Sequence, residues 1–118
     1  MGYIREYNTG RRLLEINERY IRDYSSGRMM YEVDGNNVRE YSSGRIVYQI
    51  DGNYIREYAT GRRLVEAEGR YIREYVTGRR NLEIEGNYIR EYATGRRLYE
   101  MEGFIPRNCL LAFIILCA

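Results

Sequence analysis

Apolar and polar residues alternate along most of the chain in runs of about six residues, and glycine-containing turns separate the runs. The stretches NYIREY at 53–58 and RRLVEA at 62–67 are examples, rich in aromatic and branched side chains. Alternation with a period of two is typical of β-strands that bury one face. The pattern therefore predicts two strands, joined as a β-hairpin, in each such unit.

The hairpin unit recurs with a fixed period of 17 residues. One glycine and one tyrosine of each unit keep this spacing: Gly10, Gly27, Gly44, Gly61, Gly78 and Gly95, and Tyr7, Tyr24, Tyr41, Tyr58, Tyr75 and Tyr92. Repeats that stay in phase predict one domain built from stacked copies of a single supersecondary unit. The six units span 2–18, 19–35, 36–52, 53–69, 70–86 and 87–103, and a segment at 104–118 follows them.

Two kinds of connection alternate between the strands. The pairs Glu-Gly and Asp-Gly, such as Asp51–Gly52, predict two-residue turns in which both residues have positive φ. The sequences ATG, SSG and VTG predict three-residue loops that end in a left-handed glycine and are accompanied by a bulge. With these connections, Ile55 lies opposite Val65 and Ile50 lies opposite Asn53.

This register collects the apolar residues on one face of the sheet, because side chains two residues apart along a strand point to the same side. We expect that face to form the core and the face rich in tyrosine, arginine and glutamate to meet solvent. The predicted core residues are Ile4, Leu14, Ile16, Ile21, Tyr31, Val33, Val38, Tyr48, Ile50, Ile55, Val65, Ala67, Ile72, Leu82, Ile84, Ile89, Tyr99 and Met101.

The segment after the repeats is apolar over its last ten residues, which follow Pro106 and a candidate helix cap, Asn108. Twelve strands enclose a lumen wider than their own side chains can fill, since about eight strands already give a filled interior. A short helix that is apolar on all sides is typically buried, and a membrane span needs about 20 apolar residues. The sequence therefore predicts an all-β fold of six hairpins in a closed ring, with this segment as a helical plug at its centre. An oligomer interface or a shallow membrane insertion is the alternative.

The motif NYIREYATGRRLYEMEG, repeated in phase and followed by a short apolar run, resembles the β-flower repeat domains of bacteria. The resemblance covers residues 2–118 and implies hairpins arranged as petals about an axis. Family members have four or five petals, whereas this chain has six units. The family has no assigned activity, so the resemblance implies an architecture and no catalytic residues.

Composition excludes some kinds of chemistry but does not identify a partner. The formal net charge of +2 gives no bulk signal for nucleic acid, and the 19 basic residues are all arginine. The absence of histidine excludes histidine-based acid–base and metal chemistry. The two cysteines both lie in the apolar segment rather than across the repeats, and the amino-terminal residues form no apolar signal region, which favours a reducing cytoplasm.

Near the three-residue loops, the predicted register places charged residues on the inner face. We interpret them as cross-strand ion pairs, and the alternative is a rim that binds a cation or a polyamine. Neutralisation is incomplete around Asp23, Glu40 and Glu57, which are the weak candidates for a metal site. The predicted circuit, in which Met29 and Ile46 interrupt the alternation, is Glu6, Arg12, Asp23, Met29, Glu40, Ile46, Glu57, Arg63, Glu74, Arg80, Glu91 and Arg97.

On the outer face, tyrosines alternate with arginines around the ring. The favoured interpretation is a lattice that holds neighbouring strands in register, since guanidinium groups stack on phenol rings. The alternative is a platform on which single-stranded nucleic acid stacks its bases and pairs its phosphates. The candidate binding surface comprises Tyr24, Arg28, Tyr41, Arg45, Arg56, Tyr58, Arg62, Arg73, Tyr75 and Arg79.

Catalysis is not expected, because near-identical repeats offer no asymmetric cluster of nucleophile, base and orienting group. The sequence therefore predicts a non-enzymatic structural or interaction module that needs no cofactor. Its expected partner is a protein or a repetitive polymer, engaged by a monomer or a small homo-oligomer that has no membrane span.

Overall fold

The protein is a closed ring of twelve antiparallel strands around one helix, as seen in a computed structural model that describes residues 1–117, with the backbone alone at Cys117. Each strand pairs with its neighbours in sequence, and β1 pairs with β12 to close the ring. The elements are β1 Gly2–Glu6, β2 Arg12–Asn17, β3 Tyr20–Asp23, β4 Met29–Asp34, β5 Asn37–Glu40, β6 Ile46–Asp51, β7 Tyr54–Glu57, β8 Arg63–Glu68, β9 Tyr71–Glu74, β10 Arg80–Glu85, β11 Tyr88–Glu91, β12 Arg97–Gly103 and α1 Arg107–Cys117.

The ring has the proportions of a thick disc, 35 × 35 × 18 Å. At the closure Ile4 lies opposite Met101, and Gly2 lies opposite Gly103. No strand edge is left unpaired around the barrel, and a closed sheet removes the open edges that promote aggregation. The predicted fold class, six hairpins in a closed ring with a buried carboxyl-terminal helix, is confirmed.

The core lies between the inner face of the sheet and α1. At one inner position of every odd-numbered strand an isoleucine or valine is no more than 1% exposed. Helix residues complete the core, with Ala112 and Ile114 inaccessible and the Phe113 ring packed edge-on against Tyr99 at 5.1 Å. All eighteen predicted core residues are buried or packed against this core. The residues that define the inner position are Ile4, Ile21, Val38, Ile55, Ile72 and Ile89.

Helix α1 begins at the end of the ring that carries the two-residue turns. There the Asn108 side chain donates to the Gly35 carbonyl at 2.9 Å, and the Cys109 thiol donates to the Glu18 carbonyl at 3.6 Å. Because α1 begins at Arg107, Asn108 is the second residue of the helix rather than its cap. Its side chain connects the helix to a turn. Within residues 1–117, no helix is long and apolar enough to cross a membrane. Ala118, the last residue of the predicted plug, lies outside the described residues.

The two-residue turns lie one position further along the chain than predicted. Asp51 pairs with Tyr54, so Gly52 and Asn53 form the turn, and Ile50 lies opposite Ile55 rather than Asn53. This register brings two buried isoleucines together on the core side, which a pairing of Ile50 with Asn53 would not do. Positive φ is needed only at the first turn residue, 61° at Gly52. In the first unit Glu18 occupies this position, with φ 58°.

The other connections are four-residue loops rather than the predicted three-residue loops. The bulge after each loop changes the face of the sheet on which the arginine just before the bulge lies. In the fourth unit the Glu57 N–H donates to the Arg62 carbonyl, and the Gly61 N–H donates to the Glu57 carbonyl, both at 2.8 Å. Ile55 pairs with Val65 as predicted, but Arg56 pairs with Arg63, which leaves Leu64 as the extra, bulged residue.

The predicted inner circuit of alternating acids and bases is therefore wrong. A bulge inserts one residue into one strand of a pair and so reverses the side on which the residue before it lies. The basic half of the circuit belongs to the outer face together with its two interruptions, namely Arg12, Met29, Ile46, Arg63, Arg80 and Arg97.

Candidate functional site

The outer face of the strands, here called the wall, is covered by stacked arginine and tyrosine side chains. The Arg63 guanidinium carbon lies 4.0 Å from the ring centroid of Tyr54 and 5.6 Å from that of Tyr75. These two rings meet edge to face at 5.8 Å. The same stack recurs in three other units, with Arg12 on Tyr3, Arg80 on Tyr71 and Arg97 on Tyr88. The predicted circuit places all four of these arginines on the inner face.

A second row of wall arginines forms ion pairs with acids, several of which lie next to the two-residue turns. Arg56 lies 2.9 Å from Asp51, and Arg73 lies 2.8 Å from Glu68. Arg90 both pairs with Glu85 at 2.9 Å and donates to the carbonyl of a loop glycine at 3.0 Å, so it ties the two ends of a hairpin together. Every member of this row has an acid within 4.0 Å: Arg5, Arg22, Arg39, Arg56, Arg73 and Arg90.

Hydrogen bonds from arginines favour the ionised form of two wall carboxylates, Glu68 and Glu102. Hydrogen bonds from Arg80 and then Arg73 hold the pKa of Glu68 below its ordinary value, and a bond from Arg12 does the same for the pKa of Glu102. A carboxylate that is stabilised in its charged form is a poor general acid. Arg56 and Arg73 of the candidate binding surface are wall residues that already form ion pairs within the chain.

We expect stability to depend on pH only at the acid end of the scale. The lowered pKa values of Glu68 and Glu102 give a stabilisation that is complete above the unfolded-state pKa, about 4.3 for Glu, and is lost as the pH falls through the folded-state pKa. With no histidine in the chain, the melting temperature should stay level from about pH 6 to 8 and decrease below about pH 4. Thermal melts across this range test the prediction, with Glu68→Gln expected to lose part of the acid dependence. A decrease between pH 7 and 6 would contradict it.

The four-residue loops form one end of the ring, here called the rim, and they carry arginines of a different kind. The Arg62 N–H donates to the Thr60 hydroxyl at 3.2 Å, and its carbonyl accepts from Glu57, so the backbone is fixed. Its guanidinium has no acid within 4.0 Å among the described residues, in contrast to the second row of the wall. The same holds for all six rim arginines, which are exposed: Arg11, Arg28, Arg45, Arg62, Arg79 and Arg96.

Each rim arginine belongs to a loop that begins with an exposed tyrosine, and the exposed fraction of these tyrosines ranges from 42% to 49%. The rim therefore carries Tyr24, Tyr41, Tyr58 and Tyr75, together with Arg28, Arg45, Arg62 and Arg79, from the candidate binding surface. The predicted surface thus comprises eight exposed rim residues and two wall arginines. Three of the rim tyrosines, Tyr24, Tyr41 and Tyr75, also meet wall tyrosines edge to face.

The inner acids at the rim are engaged by the loops themselves. The Thr60 hydroxyl donates to Glu57 at 2.8 Å, the Ser43 hydroxyl to Glu40 at 2.8 Å and the Ser26 hydroxyl to Asp23 at 2.7 Å. The hydrogen bonds from Ser26 lower the pKa of Asp23. In the part of the chain that the structure describes, no three acidic, cysteine or histidine side chains are close enough to hold a metal ion, so Asp23, Glu40 and Glu57 do not form a cluster.

One sector of the wall departs from the repeated pattern. Asn37 stands where other units have tyrosine, and Gln49 stands where they have glutamate. These residues pair in a cross-strand row with Arg56. Asn37 Oδ1 and Arg56 Nε are the two buried side-chain polar atoms without a hydrogen bond among the described residues. The two departures from the repeat thus coincide with the two atoms that lack a hydrogen bond within the described chain.

Restoring the repeated residue at position 49 should stabilise the protein. Glu15 and Glu66 occupy the equivalent position and pair with Arg22 and Arg73 at 3.5 and 3.9 Å. We expect Gln49→Glu to raise the free energy of unfolding by about 0.5–1 kcal/mol, because Arg56 gains a second acidic partner, in addition to Asp51, at a partly exposed site. Denaturant titration measures the change. The opposite change at the equivalent position of the first unit, Glu15→Gln, should lower stability by a similar amount. If Gln49→Glu were destabilising, it would contradict the pairing of position 49 with Arg56.

Sequence reasoning missed the stacking role of Arg12, Arg63, Arg80 and Arg97. The sequence nevertheless contains a signal for this role. The unit that has Asn37 in place of the stacking tyrosine also has Ile46 in place of the stacking arginine. Covariation of this kind between repeats of one chain reports contact in the way that covariation between homologues does.

A scan against protein-family models finds no match, and searches of curated proteins and of solved structures find none either. The function is therefore inferred from the geometry of this chain.

Proposed function

We propose that this protein is a non-enzymatic interaction module that binds a repetitive, negatively charged polymer through its rim. The observation that carries the proposal is the contrast between two rows of arginines in the same repeats. The second row of the wall is paired with acids throughout, whereas the rim arginines are exposed and have no acidic partner within 4.0 Å among the described residues.

The ring geometry supports a repeated rather than a compact partner. The rim places one arginine per unit around a disc about 35 Å across, so a long chain of charges can engage several units at once. Binding at the second and later units then occurs at high effective concentration, which raises the overall affinity without any new kind of contact. Weak individual contacts between exposed charges are sufficient for such binding.

A rim variant with three substitutions, Arg28→Gln, Arg45→Gln and Arg62→Gln, tests the proposal. The matched control removes the same charge elsewhere, through Arg19→Gln, Arg70→Gln and Arg107→Gln, all at exposed residues. With long-chain polyphosphate as the probe, we expect the rim variant to lose most of its affinity and to show a shallower salt dependence, while the control retains both. Equal losses in the two variants, or no binding by the unmodified protein at low salt, would overturn the proposal.

Single-stranded nucleic acid is a second candidate, favoured by the exposed tyrosine at the start of each loop. Stacking of bases on aromatic rings contributes about 1–3 kcal/mol per base, and polyphosphate cannot gain it. If this candidate is right, poly(dT) should bind more tightly than polyphosphate of equal charge. The substitutions Tyr41→Leu and Tyr58→Leu should then weaken poly(dT) alone. Equal affinity for the two polymers would remove this candidate and leave the general one standing.

The non-enzymatic part of the proposal is supported by how the reactive side chains are used. The loop serines and threonines donate to the inner acids, and the wall acids pair with arginines. The Cys109 thiol is buried, and burial raises its pKa, which disfavours the reactive thiolate. The resemblance to β-flower domains and the cytoplasmic location both stay predictions.

A further inference from the structure

The helix does not cover the inner face of the ring evenly. At one inner position of the even-numbered strands, Val65 and Leu82 are buried, with exposed fractions of 6% and 7%. At the same position of other units, Leu14, Tyr31 and Tyr99 are only partly buried. The carboxyl-terminal half of α1 therefore leaves part of strands β2, β4 and β12 uncovered.

The uncovered part forms a cavity of about 560 Å³ that opens at the rim. This volume lies within the range of about 300–1,000 Å³ that is usual for small-molecule sites. Its walls are almost entirely apolar or aromatic, with Leu14, Met30 and Tyr31 on the sheet side and Phe113 and Leu116 on the helix side. Such a lining takes the apolar part of a ligand.

The charged groups of the cavity come from the end of β3 and the loop that follows it, whereas Tyr31 and Tyr99 add phenol rings from β4 and β12. The Asp23 carboxylate already accepts hydrogen bonds from Ser25 at 3.3 Å and from Ser26 at 2.7 Å. Arg28 uses its backbone N–H on the Ser26 hydroxyl, but its guanidinium has no acid within 4.0 Å among residues 1–117. The mouth therefore holds two charges beside an apolar space: the Asp23 carboxylate, which is engaged by the loop serines, and the Arg28 guanidinium, which has no ion-pair partner among the described residues.

We propose that this cavity binds an amphipathic anion, such as a medium-chain carboxylate, with its chain against α1 and its carboxylate at Arg28. Guanidinium groups bind carboxylates through two parallel N–H···O bonds, which suits a head group held at the mouth. The site shares Arg28 with the proposed polymer-binding rim, but its apolar part lies inside the ring and uses no other rim arginine. Two other spaces at the rim have a more charged lining. One of about 540 Å³ is lined by Arg79, Arg80 and Glu91, and one of about 290 Å³ beside Ile115 is lined by Arg62, Arg63 and Glu74.

Two adjacent methionines locate the ligand. Met30 lines the cavity, whereas Met29 lies opposite Arg22 on the wall. In protein labelled with ¹³C at the methionine methyl groups, decanoate should shift the Met30 signal and leave the Met29 signal in place. Shifts of equal size at both, or no shift at millimolar decanoate, would overturn the proposal.

Charge selectivity and two variants test the assigned roles. Decanoate should bind about fivefold more tightly than decyltrimethylammonium, the fold-change expected for about 1 kcal/mol at an exposed ion pair. Arg28→Gln should remove this preference, whereas the matched Arg45→Gln should keep it. Leu14→Tyr should weaken both ligands more than tenfold by filling the cavity, and it uses a residue that other units carry at this position, Tyr31, Tyr48 and Tyr99. A preference for the cation, or an equal effect of Arg28→Gln and Arg45→Gln, would contradict the role of Arg28.

Discussion

A chain that ends at Gly103 should unfold or aggregate. The truncation removes the helix residues that fill the centre of the ring, including Phe113 and Ile114, and leaves the apolar inner face of twelve strands around an empty lumen. A lumen of this size cannot be filled by its own side chains. Circular dichroism and light scattering on the truncated and the full chain measure the loss.

A single substitution provides a graded version of this experiment. Phe113→Ala should lower the free energy of unfolding by about 3–5 kcal/mol, the range for large-to-small changes in a core. Phe104→Ala is the matched control, because Phe104 is 73% exposed and should cost little. A truncated chain that remains a folded monomer would show that the ring closes without the helix. Truncation that leaves a folded monomer but dissolves an oligomer of the full chain would make the helix an assembly element instead.

The second large effect is expected at the inner position of the odd-numbered strands. Ile55 is inaccessible to solvent, so Ile55→Asp would bury an unpaired charge and should cost more than about 4 kcal/mol. A loss of this size is a large share of the total stability, since domains of this size are stable by only about 5–15 kcal/mol. Equilibrium unfolding in urea measures the loss in the free energy of unfolding. If the variant is expressed but unfolded, the loss is at least as large as the stability of the unmodified protein.

The matched control for Ile55→Asp is Arg62→Asp at the rim, which should change stability by no more than about 0.5 kcal/mol. Arg56→Asp is a less clean control, because its guanidinium pairs with Asp51 and the new carboxylate would face that acid. Similar losses from Ile55→Asp and Arg62→Asp would mean that the inner and outer faces are assigned wrongly.

The fold could be predicted because the 17-residue period constrains several levels of structure at once. The same spacing gives the number of hairpins, and the two-residue alternation assigns Ile55 and its equivalents to the core. The helix could be predicted because a closed ring of twelve strands leaves a central space that the apolar segment alone can fill. These conclusions depend on the repeat length and on the alternation of apolar and polar residues, and both can be read directly from the sequence.

The face of Arg63 and its equivalents could not be predicted from the same information. A three-residue and a four-residue loop both fit a repeat of 17, and the choice is made by backbone hydrogen bonds from Glu57 and Gly61. Moving the bulge by one residue reverses the face of the arginine that precedes it, because side chains alternate along a strand. The stacked wall and the absence of the inner ion-pair circuit both follow from that single residue.

The cavity beside α1 was also beyond sequence reasoning, for a different reason. Its volume depends on where the helix lies within the ring and on which units present Leu14, Tyr31 or Val65 to it. Near-identical repeats suggest a symmetric centre, whereas one helix cannot contact six units equally. The asymmetry thus arises from packing one element against many.

The pairing of β1 with β12 has a consequence for how the ring is made on the ribosome. Neighbouring hairpins can pair as soon as they emerge, so most contacts are local and form in order. The first strand, however, must wait for the last strand of the ring, and the helix follows later still. Until then the nascent chain is a curved ribbon with two open edges and an exposed apolar face, the kind of intermediate that associates with other chains. The need for chaperones should therefore persist until the last strand and the helix have been translated.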